Sequence, residues 1–116
     1  MRVRWWPQQR VFFMSDHDHN HGAHPHQLEP PHEAFHNPQS GEVMRAWIVG
    51  GGLSLSMNAM AFGKAETWGH VLAGIVQQIS DACEEMGHGT RASNFTDISK
   101  ALTTDLDKMA QSLPKS

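Results

Sequence analysis

"EVMRAWIVGGGLSLSMNAM", residues 42–60, decides the fold. It holds two runs of alternating side chains separated by three glycines. In the first, Met44, Ala46 and Ile48 face one way, and Val43, Arg45, Trp47 and Val49 the other. In the second, Leu53, Leu55 and Met57 share one side and Ser54, Ser56 and Asn58 the opposite side. A period of two is that of a β-strand. Glycines between two such runs read as the turn of a β-hairpin.

The pattern also constrains the register. A two-residue Gly50-Gly51 loop pairs Ile48 with Leu53, Ala46 with Leu55 and Met44 with Met57. Each apolar residue of the second strand then meets an apolar partner. A three-residue loop without a bulge sets Ile48 against Ser54 and mixes the faces. Because a one-residue slip inverts every side chain, the even-parity pairing is expected. A Gly51-Gly52 loop keeps the same parity, so both two-residue turns stay open.

Downstream the period lengthens. Trp68, Val71, Leu72, Ile75, Val76, Ile79, Ala82, Cys83 and Met86 recur at three- and four-residue steps, a wide apolar stripe on one helix. Glu66 suits its positive N-terminus, and Gly87 is placed to stop it in a left-handed conformation. Gly69 and Gly74 each weaken the helix by up to ~1 kcal/mol relative to alanine and are candidates for close backbone approach. After "HGTRA", the stretch "SNFTDISKALTTDLDKMAQSL" reads as a second amphipathic helix capped by Ser93 or Asn94. Its stripe is Phe95, Ile98, Leu102, Leu106, Met109 and Leu113, and Pro114 fits its end. The expected fold is α+β: a β-hairpin followed by two amphipathic helices packed on one sheet face (ββαα), spanning residues 42–113 and preceded by a disordered N-terminal tail.

A lone two-stranded sheet is marginal in water. The helices could cover its Met44/Ala46/Ile48 face, but Val43, Trp47 and Val49 would stay exposed and both strand edges open. Self-association answers both problems, by edge pairing or by burying Trp47 face to face, so a homo-oligomer, in simplest form a homodimer, is expected. The competing reading is a monomer whose Trp47 is covered by the tail or the second helix. Arg45 beside Trp47 is the best hint of a binding surface, and Val43, Arg45, Trp47 and Val49 form the expected interface.

Residues 14–41 carry seven of the nine histidines and four of the six prolines, with few aliphatic side chains. Such a segment cannot offset its ordering entropy by burial and reads as disordered. Its stretch "HDHNHGAHPH" places His17, His19, His21, His24 and His26 within ten residues. Imidazole ligates zinc, nickel and copper, so these five are the candidate metal ligands, for zinc or nickel first. His32 and His36 add an i, i+4 pair. The plain alternative is a solubilising tail, since a His-rich tract is only a compositional signal. A third is a pH-responsive tail, because protonating its seven histidines would carry residues 14–42 from -5 to +2. Residues 1–13, "MRVRWWPQQRVFF", read as an extension upstream of a start at Met14. The alternative is a short interfacial anchor built on Trp5, Trp6, Phe12 and Phe13.

Charge argues against nucleic acid. Residues 1–13 carry +3, residues 14–42 carry -5 and the remainder -1, a formal net charge of -3 without the large basic face that phosphate binding needs. No apolar run approaches the ~18 residues that span a bilayer, so no membrane partner is expected. Cys83 is the one cysteine and cannot form an internal disulfide, which fits a reducing, cytoplasmic compartment.

"EVMRAWIVGGGLSLSMNAMAF", followed by "WGHVLAGIVQQI", resembles a family of short, mainly alphaproteobacterial proteins known only as domain of unknown function 5076. The resemblance runs over residues 42–110 and is carried by Glu42, Val43, Arg45, Trp47, Gly51, Gly52, Leu53, Trp68 and Gly69. It implies a small α+β domain and brings neither an activity nor site residues.

No enzyme constellation emerges. Neither a nucleophile elbow, a phosphate loop nor a dinucleotide fingerprint occurs, since "GGG" joins two strands instead of leading into a helix. Ser80 and Asp81 are helix neighbours that diverge, as do Asp105 and Asp107. A non-enzymatic protein without a resident cofactor is expected.

Overall fold

The computed structural model describes residues 10–13 and 24–114. Met1, Met14, His17, His19 and His21 lie outside these described residues. The chain forms two compact units, residues 1–61 and residues 62–116. A hairpin followed by two helices gives the α+β order expected from sequence.

The first unit holds the hairpin. Strand β2 (Met44–Val49) runs antiparallel to β3 (Gly52–Met57), with Ile48 opposite Leu53, Ala46 opposite Leu55 and Met44 opposite Met57. The turn is Gly50-Gly51, with φ of 57° and 80°. Two successive left-handed residues make the tight turn whose twist matches that of the strands, and glycine adopts it without a Cβ clash. Leu55, at the middle of the apolar face, is buried.

The sheet gains a strand that the alternation did not announce. Strand β1 (Arg10–Phe13) pairs parallel with β3, Arg10 against Ser54 through Phe13 against Met57. The order is β1-β3-β2. So β3 is central, and the expectation of two open hairpin edges is corrected: of the two hairpin strands only β2 keeps an outer edge unpaired by a described strand, and β1 forms the other edge of the sheet.

Between β1 and β2 lies the stretch that composition reads as unstructured. Its described part, residues 24–41, is ordered by local hydrogen bonds instead of by burial. Gln27 N donates to His24 O at 3.0 Å, closing a turn. A short 3-10 helix, His32–His36, follows Pro31, whose carbonyl accepts from Ala34 N at 3.0 Å. Asn37 Oδ1 accepts from Gln39 N at 3.0 Å, the side chain standing in for a backbone turn.

The second unit is an α-hairpin of α1 (Ala65–Glu85) and α2 (Arg91–Ser112). Helix α1 ends as Gly87 predicts. With Gly87 at φ 86°, His88 N donates to Cys83 O at 2.8 Å and Gly87 N to Glu84 O at 3.0 Å, the paired bonds of a Schellman stop. Gly69 and Gly74 meet nothing within 4 Å of a built Cβ, so neither marks close backbone approach. Helix α2 starts earlier than its pattern suggests. Thr90, not Ser93 or Asn94, is the cap: its Oγ1 accepts from Ser93 N, and Ser93 Oγ accepts from Thr90 N. That reciprocal pair satisfies two otherwise unpartnered N–H groups. Asn94 is thereby released for a tertiary role, its Nδ2 donating to His88 O at 2.7 Å and to Ser80 O at 3.3 Å. Ser80 is fully buried in α1 and donates its hydroxyl to Val76 O. Arg91 pairs with Asp81, and its N–H donates to Glu84 Oε2 at 3.0 Å. In this unit Phe62 meets Trp68 edge-on, with ring centroids 5.1 Å apart.

Candidate functional site

The phase of the hairpin ladder decides which backbone groups face out of the sheet. Asn58 N donates to Val43 O at 2.9 Å, so residues 43 and 58 form a hydrogen-bonded pair. Such pairs alternate with non-bonded ones along an antiparallel ladder. Arg45, Trp47 and Val49 therefore spend their N–H and C=O groups on β3, opposite Ser56, Ser54 and Gly52. Met44, Ala46 and Ile48 direct theirs to the outer edge of β2.

That edge borders a groove of about 590 Å³. Met44 through Ile48 form one wall, and the segment His26–Pro31 the other. Leu28, Pro30 and Pro31 make much of the facing wall apolar. A second groove of about 490 Å³ shares Pro30, Pro31, Met44 and Arg45 and adds Phe35. Leu28 is 85% exposed, Phe35 68% and Ile48 62%, so the apolar rim of these grooves is open to solvent.

The side chains expected to form the interface take different parts. Trp47 is half-buried, and His24 stands against it, ring centroids 5.0 Å apart at an interplanar angle of 77°. His24, from the tail, thus covers part of this ring. Arg45 makes a forked ion pair with Glu42, Nη2 to Oε2 at 2.7 Å and Nε to Oε1 at 3.3 Å. Two parallel bonds fix the guanidinium plane. Val43 is half-buried and Val49 exposed. Alternation along β2 drew attention to the Trp47 face. It gave no signal for Leu28, Pro30 and Pro31, which lie in the His-rich segment and build the opposite wall.

Of the five candidate metal ligands, only His24 and His26 are described. His24 Nδ1 accepts from His26 N at 3.0 Å, which leaves its Nε2 to carry the ring proton, and the two rings lie 5.5 Å apart. Among the described residues, no group of three or more His, Cys, Asp or Glu side chains is placed to hold a metal ion. His70 is exposed and lies 3.9 Å from Glu66, while Cys83 is half-buried. No helix among the described residues is long and apolar enough to cross a membrane.

Comparison with known proteins gives a family and a fold. The family model described as domain of unknown function (DUF5076) matches residues 27–109, reaching back past the hairpin into the segment that walls the groove. No curated protein matches the chain. A solved structure from the photosynthetic bacterium Rhodopseudomonas palustrus CGA009, provisionally named a pyruvate dehydrogenase, is 25% identical. The match covers 84% of this chain and 93% of that one, with a TM-score of 0.58.

Proposed function

For a chain that belongs to the DUF5076 family, whose description assigns no activity, we propose a non-enzymatic role as a self-associating interaction module. The observation that carries this reading is the outer edge of β2. It leaves the backbone groups of Met44, Ala46 and Ile48 unpaired by any described strand, beside an apolar groove of about 590 Å³. An exposed strand edge is a template for another strand. A second copy offering its own β2 antiparallel would satisfy both edges under one two-fold axis and join two three-stranded sheets. Val43, Arg45, Trp47 and Val49 then lie on one continuous face of the joined sheet. The reading includes a cytoplasmic location, supported by the single cysteine and by the lack of a long apolar run.

Amide hydrogen exchange tests it. The Ala46 and Ile48 amides should become slower to exchange as protein concentration rises, while Arg45 and Trp47, already bonded to β3, should not change. Concentration-independent exchange at Ala46 and Ile48 would remove the edge from the proposal.

The name of the Rhodopseudomonas protein suggests an activity on pyruvate. That name belongs to the relative, and the binding role is preferred for this chain on the β2 edge and its groove. A second reading, a metal-binding accessory or buffering role, rests on His17, His19, His21, His24 and His26. Replacing these five histidines with Asn should abolish zinc binding under that reading and leave self-association through β2 in place.

A further inference from the structure

His32 and His36 begin and end the short 3-10 helix, and both are exposed. Their Nε2 atoms lie 3.0 Å apart, and their ring centroids 4.6 Å apart at an interplanar angle of 64°. A head-to-head hydrogen bond between two imidazoles would place the centroids ~5.2 Å apart, the ~3 Å bond plus a ring radius of ~1.1 Å on each side. The observed separation is shorter, as it is when the two ring nitrogens point toward a common position beside the N···N line.

The convergence can be compared with coordination geometry. With a metal–imidazole bond of ~2.05 Å, nitrogens 3.0 Å apart subtend an angle of about 94° at the ion. Extending each bond outward by the ring radius gives a centroid separation of ~4.6 Å, against the 4.6 Å found. A tetrahedral ion would need nitrogens ~3.35 Å apart. An angle near ~90° is the cis angle of a square-planar or tetragonal centre, the preference of Cu²⁺ and Ni²⁺.

We propose that His32 and His36 form a two-nitrogen chelating site for a tetragonal divalent metal ion, Cu²⁺ foremost. Each neutral ring presents Nε2 to the ion and keeps its proton on Nδ1, toward solvent. Two ligands leave the other cis positions to water or to further donors. The site is independent of the five-histidine stretch, because both ligands lie on one short helix after Pro31 and within the family-matched residues.

The test is titration of the full chain with Cu²⁺ alone at pH 7.5. His17, His19, His21, His24 and His26 are first replaced by Asn, so that the stretch cannot answer for the pair. One Cu²⁺ should remain bound, and its electron paramagnetic resonance spectrum should be tetragonal with splitting from two nitrogens. Adding His32→Asn or His36→Asn should each weaken binding by about tenfold or more, whereas His70→Asn and His88→Asn should not. Zn²⁺ should bind at least about tenfold more weakly than Cu²⁺. Affinity unchanged within about twofold by His32→Asn and His36→Asn, or coordination by fewer than two nitrogens, would overturn the site. Zn²⁺ binding as tightly as Cu²⁺ would overturn its tetragonal character. Both residues are exposed, so replacement leaves the fold intact, and unchanged circular dichroism verifies this in each variant.

Discussion

The rings of His24 and Trp47 meet at 77°, with centroids 5.0 Å apart. One belongs to the His-rich segment and the other to the edge strand, so the segment is in contact with the sheet it precedes. A ring lying near the indole feels its ring current. Trp47→Ser should therefore move the His24 ring proton resonances. His26 should respond less, and His70 not at all. His24 resonances that ignore the substitution would show that the contact is absent in solution.

The Gly50-Gly51 turn gives a graded prediction. Gly51, at φ 80°, should lose about 1–2 kcal/mol of hairpin stability on substitution by Ala, because the left-handed region costs a Cβ roughly that much. Gly50→Asn should cost less than ~0.5 kcal/mol, since Asn-Gly is the favoured pair for this turn. Thermal unfolding of the two variants gives the ordering, and equal losses would contradict the turn type.

Asn94 ties the start of α2 to the end of α1. Asn94→Ala removes two hydrogen bonds and leaves the carbonyls of Ser80 and His88 without that donor. The expected cost is about 1–3 kcal/mol, the range for losing bonds in a partly buried site. Thr90→Ala should cost about 1 kcal/mol through the capping box. Gly89→Ala should also destabilise, because a Cβ there would come within 2.9 Å of Asn94 Oδ1 at a φ of 70°. Denaturant midpoints measure all three, and an Asn94→Ala variant as stable as the parent would show that the corner bonds do not hold the hairpin.

The same corner shows how far a pattern can be read. Thr90, Ser93 and Asn94 are all good caps within five residues. Periodicity cannot choose among them, because the choice is made by Ser80 and His88 on the other side of the turn. The parity of the strand register was legible for the opposite reason: parity is a local property, and a one-residue slip sets Ile48 against Ser54 and mixes the faces, whereas the Gly50-Gly51 and Gly51-Gly52 loops share a parity and only the structure separates them. The groove was half legible. Alternation identified β2 and its Trp47 face, but Leu28, Pro30 and Pro31 sit in a stretch whose composition signals disorder. What orders the described part of that stretch is a set of three- to four-residue hydrogen bonds and Pro31, features that carry little hydrophobic signature.

The Glu42–Arg45 pair should behave as a positioning contact more than a stabilising one. Its side chains are 45% and 24% exposed, so solvent screens the attraction. A double-mutant cycle with Glu42→Gln and Arg45→Gln should give a coupling below ~1 kcal/mol that shrinks further in high salt. A coupling of several kcal/mol, insensitive to salt, would mean that the pair is buried in solution by a partner.

The edge of β2 is the centre of the account, and its most direct test is the solution mass of the full chain. Sedimentation equilibrium at micromolar concentration should give twice the 12.9 kDa of one chain. Ile48→Lys, which sets a charge on the exposed edge, should return the mass to that of a single chain while leaving the circular dichroism unchanged. A parent protein that sediments at 12.9 kDa across the micromolar range would contradict self-association through β2.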